Sequence, residues 1–280
     1  MMRCLLFIFA LLLCSCSGGS IPKAGPVATA QADVPSVKLS LPAKNAKPEK
    51  NVQVKLELPA ISTSDDIVTH IGYAVSYNHE MLIPNWVAYE LTAEECEGTF
   101  KGKESFCWDP ELKGRQPNRE DYKNDAQWDR GHMAPKADMK WSVQAYEESY
   151  FLSNVCPQNR TFNGGSWAST EKFARRIARK YGKAYIICGP IVTMKQYGTL
   201  GTPEIVIPDA FFKAVLINNG STYSAISFVM QNIPETQNLK ECSITVDALE
   251  KIIGIDIFCN LDVAIQNEIE AKVNYFDWGI

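Results

Sequence analysis

Asp129-Arg130-Gly131-His132-Met133-Ala134-Pro135, then Phe151-Leu152-Ser153-Asn154-Val155-Cys156-Pro157-Gln158, then Asn163-Gly164-Gly165: these three stretches set the fold expected of the chain. The segment around His132 reads as one strand and Phe151 to Val155 as a second, with a short helix over Ser142 to Tyr150 between them. Asn163-Gly164-Gly165 reads as a turn that opens an amphipathic helix. Trp167, Phe173, Ile177 and Tyr181 share its apolar side, and Lys172, Arg176, Arg179 and Lys180 lie mostly elsewhere. Gly182 is placed to stop it.

Outward from this core, strands are expected at Ile71–Tyr77, Trp86–Leu91, Ala184–Cys188, Ile205–Ile207, Phe211–Ile217 and Tyr223–Met230. Cys96 to Tyr122 has Gly, Pro, Asn and Asp at short intervals and reads as loop. Val246 to Ile253 is a helix with Thr245 or Ser243 as its cap. Strands and helices mix without strict βαβ alternation, so the fold class expected is α+β, a mostly antiparallel sheet with flanking helices.

The N-terminal part has a different character. Arg3 precedes the apolar run Leu5 to Leu13, which has the length of a signal-peptide core. Leu13-Cys14-Ser15-Cys16 resembles the lipobox of bacterial lipoproteins, which implies cleavage before Cys16 and a lipid on that cysteine as a membrane anchor. An ordinary cleaved signal is the plainer reading; either places the chain outside the cytoplasm, in a bacterial cell envelope or secreted. Residues 16–60 then form a tether rich in Ala, Pro, Lys and Ser, in which Asn51 to Leu58 alternates as an edge strand would. The globular domain is expected over 61–280. Outside Cys4, Cys14 and Cys16, the remaining cysteines are Cys96, Cys107, Cys156, Cys188, Cys242 and Cys259, none in CxxC spacing. In an oxidising compartment an even number favours disulfides, with Cys96 and Cys107 expected to pair.

The formal charge of −4 and pI near 5.5 exclude a protein coated in basic surface. An anionic polymer would have to be met by a local cluster of Arg and Lys together with a bound cation. The central stretch supplies such a set. A neutral imidazole takes a proton from water near pH 7, and His132 stands beside Asp129, Arg130 and Gly131, whereas His70 and His79 sit in no comparable polar cluster. Arg130 offers a planar fork to a phosphate, or a salt bridge to Asp129. If helical, Asn163 and Glu171 stand roughly 12 Å apart at about 1.5 Å per residue, too far for both to bind one small ion directly. One can ligate while the other holds a metal-bound water, which suits Mg²⁺, with Mn²⁺ as the alternative ion. Asn163 is assigned to the ion and Glu171 to its water. The plainer readings are a turn residue for Asn163 and a surface ion pair for Glu171 and Arg175. Asn154 either caps a loop or faces the site.

Together these residues resemble the DNA/RNA non-specific nucleases of the ββα-metal type. Asp129-Arg130-Gly131-His132 looks like that family's DRGH signature, and Ser153 to Gln158, Asn163, Trp167 and Glu171 follow at its spacing. Pro208-Asp209-Ala210-Phe211-Phe212-Lys213 is also similar, and the likeness runs from about Tyr73 to Asp256. The resemblance implies a metal-dependent endonuclease that cleaves DNA, RNA or both and leaves 5′-phosphate ends. It makes His132 the general base, Asn163 the Mg²⁺ ligand and Glu171 the holder of a metal-bound water, with Arg130, Asn154 and Arg175 at the substrate. One departure stands out: the arginine usual before the aromatic and Asp-Pro step is absent from Lys101 to Pro110, where Lys103 or Lys101 stands in. Lysine keeps the charge and loses the fork. That departure motivates a competing reading, a nucleic-acid-binding envelope lipoprotein with weak or lost catalysis.

Overall fold

The computed structural model describes residues 54–122, 125–193 and 196–280. The signal-like run, Cys16 and most of the tether lie outside them. In chain order the elements are β1 (Asp66–Thr69), β2 (Ala74–Asn78), β3 (Ile83–Thr92), β4 (Trp128–His132), α1 (Val143–Glu148), β5 (Val155–Asn159) and α2 (Arg160–Phe162). A π-helical turn, Asn163–Trp167, leads into α3 (Ala168–Tyr181) and β6 (Lys183–Ile191). Then come β7 (Thr199–Leu200), β8 (Ile205–Val206), β9 (Ala210–Asn218), β10 (Tyr223–Gln231), β11 (Ser243–Ile244), α4 (Val246–Ile253), α5 (Val263–Ile269) and α6 (Tyr275–Trp278).

A seven-stranded sheet in the order β1-β2-β3-β6-β9-β10-β11 carries the fold. Every neighbouring pair is antiparallel, as expected for the α+β class. Both faces are covered, which is why β6 and β9 read as almost unbroken apolar runs. Val87, Tyr89, Ile186, Phe211 and Val215 face a core shared with Trp167, Phe173 and Ile177 of the long helical run. Trp86, Ala88, Ile187, Phe212 and Leu216 face the opposite core, closed by Val246 and Leu249 of α4 and Ile269 of α5. The period of two thus divides each strand between two cores.

On the first face, β4 and β5 form a separate two-stranded ribbon with Gly131 opposite Cys156 and Asp129 opposite Gln158. A Cβ at Gly131 would overlap the Gln158 side chain, so the ribbon closes only with glycine there. The chain then turns straight into helix, giving the ββα order.

Three expectations need correction. The second strand begins at Val155, not Phe151, because Leu152–Asn154 forms a 3-10 turn held by the Asn154 side chain. The helix does not start at the Asn-Gly-Gly step. Asn159 Oδ1 accepts from the amides of Thr161 (3.0 Å) and Phe162 (3.4 Å), capping the helix earlier and leaving Asn163 in its body. Of the expected edge strand, Val54 to Leu58 is described; it forms a turn in which Leu56 packs under the second core. Gly182 does end α3 in the left-handed conformation (φ 84°), and Thr245 Oγ does cap α4 through the Ala248 amide.

No disulfide forms among Cys96, Cys107, Cys156, Cys188 and Cys259, which are free thiols. Cys96 is buried and sits against the Arg175 carbonyl, whereas Cys107 is exposed and bridges to Phe151. The pairing expected of these two is corrected on that ground: they belong to different packing environments.

Candidate active site

His132 is the last residue of β4, paired with Val155, and its carbonyl accepts from the Trp167 indole N–H at 3.1 Å. The imidazole lies between the rings of Phe106 and Tyr150, each with its centroid 5.2 Å away. Its Nε2 is buried without a hydrogen-bond partner. Loss of hydration pushes the imidazole down to about 4, and nearby Lys136 pushes the same way against Glu104. The ring is therefore neutral at pH 7, with one nitrogen free to accept.

His132 lines a cavity of about 420 Å³ together with Arg119, Arg130, Lys136, Glu104 and Phe106 among others. Three cations face one carboxylate, so the cavity is locally positive within an acidic chain. Arg130 lies over the Phe106 ring at 4.9 Å and donates to the Arg119 carbonyl at 3.4 Å. Asp129, considered as its ionic partner, instead binds Arg160 at 3.0 Å. Lys136 is tied to Glu104 at 3.2 Å, and Glu104 also accepts from the Tyr146 hydroxyl.

Asn163 and Glu171 do not line this cavity; they meet the His132 strand from the helical side. Asn163 Nδ2 donates to Asp129 Oδ2 at 3.3 Å, which leaves its carbonyl oxygen available to a cation. The π turn has a geometric consequence. Eight α-helical steps rotate a side chain by roughly 80° beyond whole turns, but one residue absorbed by a π bulge brings that back to about 20°. Asn163 and Glu171 are thereby brought onto nearly one face. Glu171 accepts no hydrogen bond among the described residues; burial pushes it up to about 7, opposed by Lys213, with Asp138 raising and Arg175 lowering it. Lys213, on β9, is fully buried, stacks over Trp167 at 4.5 Å, and its ammonium makes no hydrogen bond.

Three expected substrate residues are placed elsewhere. Asn154 is fully buried. Its Nδ2 donates to the carbonyls of Ala134 (2.8 Å) and Ser149 (2.9 Å), and its Oδ1 accepts from the Ala134 amide (2.8 Å), so nothing remains for a substrate. Arg175 binds Asp138 Oδ1 at 2.5 Å, and the other oxygen of this 0 % exposed carboxylate accepts from the Tyr89 hydroxyl at 2.9 Å. That is a largely interior pair, so Arg175 is committed to Asp138 and not to a surface ion pair with Glu171. Lys103 lines a different cavity with Cys107 and Glu147, and its amide donates to Glu147 at 2.9 Å.

The guanidinium that reaches the His132 cavity in its place is Arg119, from the 3-10 turn Arg119–Tyr122. Sequence reasoning sought the missing arginine only between Lys101 and Pro110. A residue just before the conspicuous Asp-Tyr step gave no local signal, since only folding brings that turn against Arg130. Lys136 and Lys213 were missed as well, although both lie within quoted or adjoining motifs.

With this geometry in view, similar proteins can be compared. The profile of a family described as DNA/RNA non-specific endonuclease matches residues 55–264. A nuclease named EXOG, mitochondrial, from Xenopus laevis is 28% identical over 216 residues, covering 71% of this chain and 60% of the relative. The chain thus spans about 60% of that relative's length. Nuclease 1, mitochondrial, from Schizosaccharomyces pombe is 30% identical over 230 residues, 75% of this chain and 71% of its own. A chain in the crystal structure of an EndoG/EndoGI complex superposes with a TM-score of 0.69 at 22% identity, covering 79% of this chain and 96% of that one; the likeness is one of fold. These relatives correct the expected localisation. Their names are those of mitochondrial nucleases, not of lipid-anchored proteins of a bacterial envelope.

Proposed function

Since the chain belongs to the DNA/RNA non-specific endonuclease family, we propose that it hydrolyses phosphodiester bonds in DNA, RNA or both, with a divalent cation, and leaves 5′-phosphate ends. The observation that carries this reading is a neutral His132, its Nε2 unpartnered, in the wall of a cavity shared with Arg119, Arg130 and Lys136.

The phosphodiester is anchored by Arg130, whose guanidinium rests over Phe106 and so presents its fork with less ordering cost. Arg119 and Lys136 add charge at the same cavity. Seating an anion beside the imidazole raises its basicity from the low value of the free protein toward the range useful for a general base. His132 Nε2 then takes the proton of the attacking water. Trp167 holds the strand end through the His132 carbonyl, which fixes the ring's origin against the helix.

The donor set fits a hard, hydrated cation: a carbonyl oxygen on Asn163, oriented through Asp129, and on the same face a carboxylate that accepts no hydrogen bond among the described residues and whose affinity for protons is raised by burial. Asn163 would hold the ion and Glu171 a water upon it. Mg²⁺ is the ion of choice and Mn²⁺ the alternative. When bound, such an ion neutralises charge growing on the phosphoryl oxygens and stabilises the leaving oxygen. The silent-binder reading rested on the missing arginine, and Arg119 at the same cavity removes that motive.

The test is digestion of plasmid and RNA with Mg²⁺, with and without chelator, by wild type and His132→Ala. We expect chelator-sensitive cleavage and a loss of about 10²-fold or more in turnover for the variant. Wild-type-like cleavage by His132→Ala would overturn the assignment of the base.

A further inference from the structure

On the sheet face opposite His132, α4 and α5 bring carboxylates together that the proposed hydrolysis does not use. Asp247 and Glu250 are three residues apart in α4 and project from one side of it. Glu270 is the residue that ends α5, and its carbonyl accepts from the Asp247 amide at 3.1 Å, so the two helices are already pinned at this point. One ligand atom from each of the three carboxylates lies within 4.8 Å of the others.

Acidic side chains often cluster at a surface without meaning, and two of these three are only half-buried. Glu270 is different. It is 6 % exposed, its Oε1 is buried with no hydrogen-bond partner, and its carboxylate is the one that meets those of Asp247 and Glu250. A buried carboxylate oxygen without a donor is costly, and native structures rarely keep one unless something else satisfies it. No Lys or Arg supplies that partner among the described residues; Glu270 instead faces Glu250, Asp256 and Asp247. In this setting burial, followed by those three carboxylates, pushes Glu270 up to about 8. Glu250 uses one oxygen for the Ile257 amide (2.8 Å) and keeps the other.

We propose that Asp247, Glu250 and Glu270 form a structural site for a divalent cation of the Ca²⁺ type, distinct from the Asn163 site and serving to staple α5 to α4. The ligand set favours the larger ion, because Ca²⁺ accepts irregular sets of carboxylates and waters whereas Mg²⁺ demands near-ideal octahedral geometry. An open cavity of about 470 Å³, bounded by Asp247, Glu250 and Asp256 with Lys251 at its wall, exposes two of the three carboxylates to solvent and gives room for the ion's remaining waters. The Glu270 carboxylate also stands at the C-terminal end of α5, where the helix dipole favours positive charge.

The experiment titrates CaCl₂ into the whole protein by calorimetry, with thermal melts in parallel, for Asn163→Ala, which disables the first cation site, and for Asn163→Ala/Glu270→Gln. We expect about one Ca²⁺ event in Asn163→Ala, accompanied by a saturable rise in Tm, and neither in the double variant. Without Ca²⁺, the double variant should melt no lower than Asn163→Ala, because Glu270→Gln removes a like charge from the cluster. Ca²⁺ binding retained by the double variant, or no Ca²⁺ event in Asn163→Ala, would overturn the proposal. Should the double variant fail to fold, Asp247→Asn/Glu250→Gln is added to Asn163→Ala in its place, with the same two outcomes.

Discussion

Asn154→Ala separates a side chain that holds the protein together from one that holds the substrate. Three backbone groups depend on the carboxamide: the Ala134 amide, the Ala134 carbonyl and the Ser149 carbonyl, at 2.8, 2.8 and 2.9 Å. Leaving each unpaired in the interior costs about 1 kcal/mol or more, so the variant should lose about 3 kcal/mol, less if a water enters. In a domain of this size about 1 kcal/mol moves Tm by roughly 2–4 °C, which gives a fall of about 6–12 °C. Denaturant unfolding checks the free energy and a thermal scan the shift. Steady-state cleavage at a temperature where both proteins are folded completes the test. Because Ala134 lies just past His132, kcat should drop while KM changes by less than about twofold. If Asn154→Ala melts within about 2 °C of wild type yet needs several-fold more substrate, the carboxamide faces the nucleic acid and the placement argued above is wrong.

Other outcomes follow from the same geometry. Arg119→Ala should raise KM and flatten the dependence of binding on salt, whereas Lys103→Ala, in a separate cavity, should leave both near wild type; the reverse pattern would restore lysine as the stand-in for the missing arginine. Glu171 has its affinity for protons raised in the folded state to about 7, so the stability it contributes is full below the ordinary value of 4.5 and is lost as pH climbs through about 7. Glu171→Gln should accordingly melt higher than wild type above neutral pH, the two curves converging toward pH 4.5, while cleavage falls; a fixed Tm offset across that range would contradict it. With a thiol reagent under native conditions, Cys107 should label first, and Cys96, Cys156 and Cys188 only on unfolding, as read by peptide mass spectrometry.

What the sequence determined by itself was whatever depends on neighbours a few residues away. The apolar runs of β3, β6, β9 and β10, the apolar stripe of α3, its stop at Gly182 and the Thr245 cap are written in local order, because backbone geometry and side-chain direction repeat with the element. The DRGH stretch was legible as a motif, but the need for glycine at Gly131 comes from Gln158 across the ribbon and shows only in the fold. Roles of polar side chains were not legible in that way. Arg175 and Glu171 are neighbours on a helix, yet Arg175 turns to Asp138, 37 positions away in the chain. Asn154 reaches back 20 positions to Ala134, and Asn159 caps the helix that Asn163 was expected to open. Arg119 reaches the cavity only because the ribbon and the preceding turn pack together. A polar group removed from water must find its partner wherever the tertiary structure brings one, and that constraint is global, so only the folded chain decided which of these residues face a substrate and which hold the core.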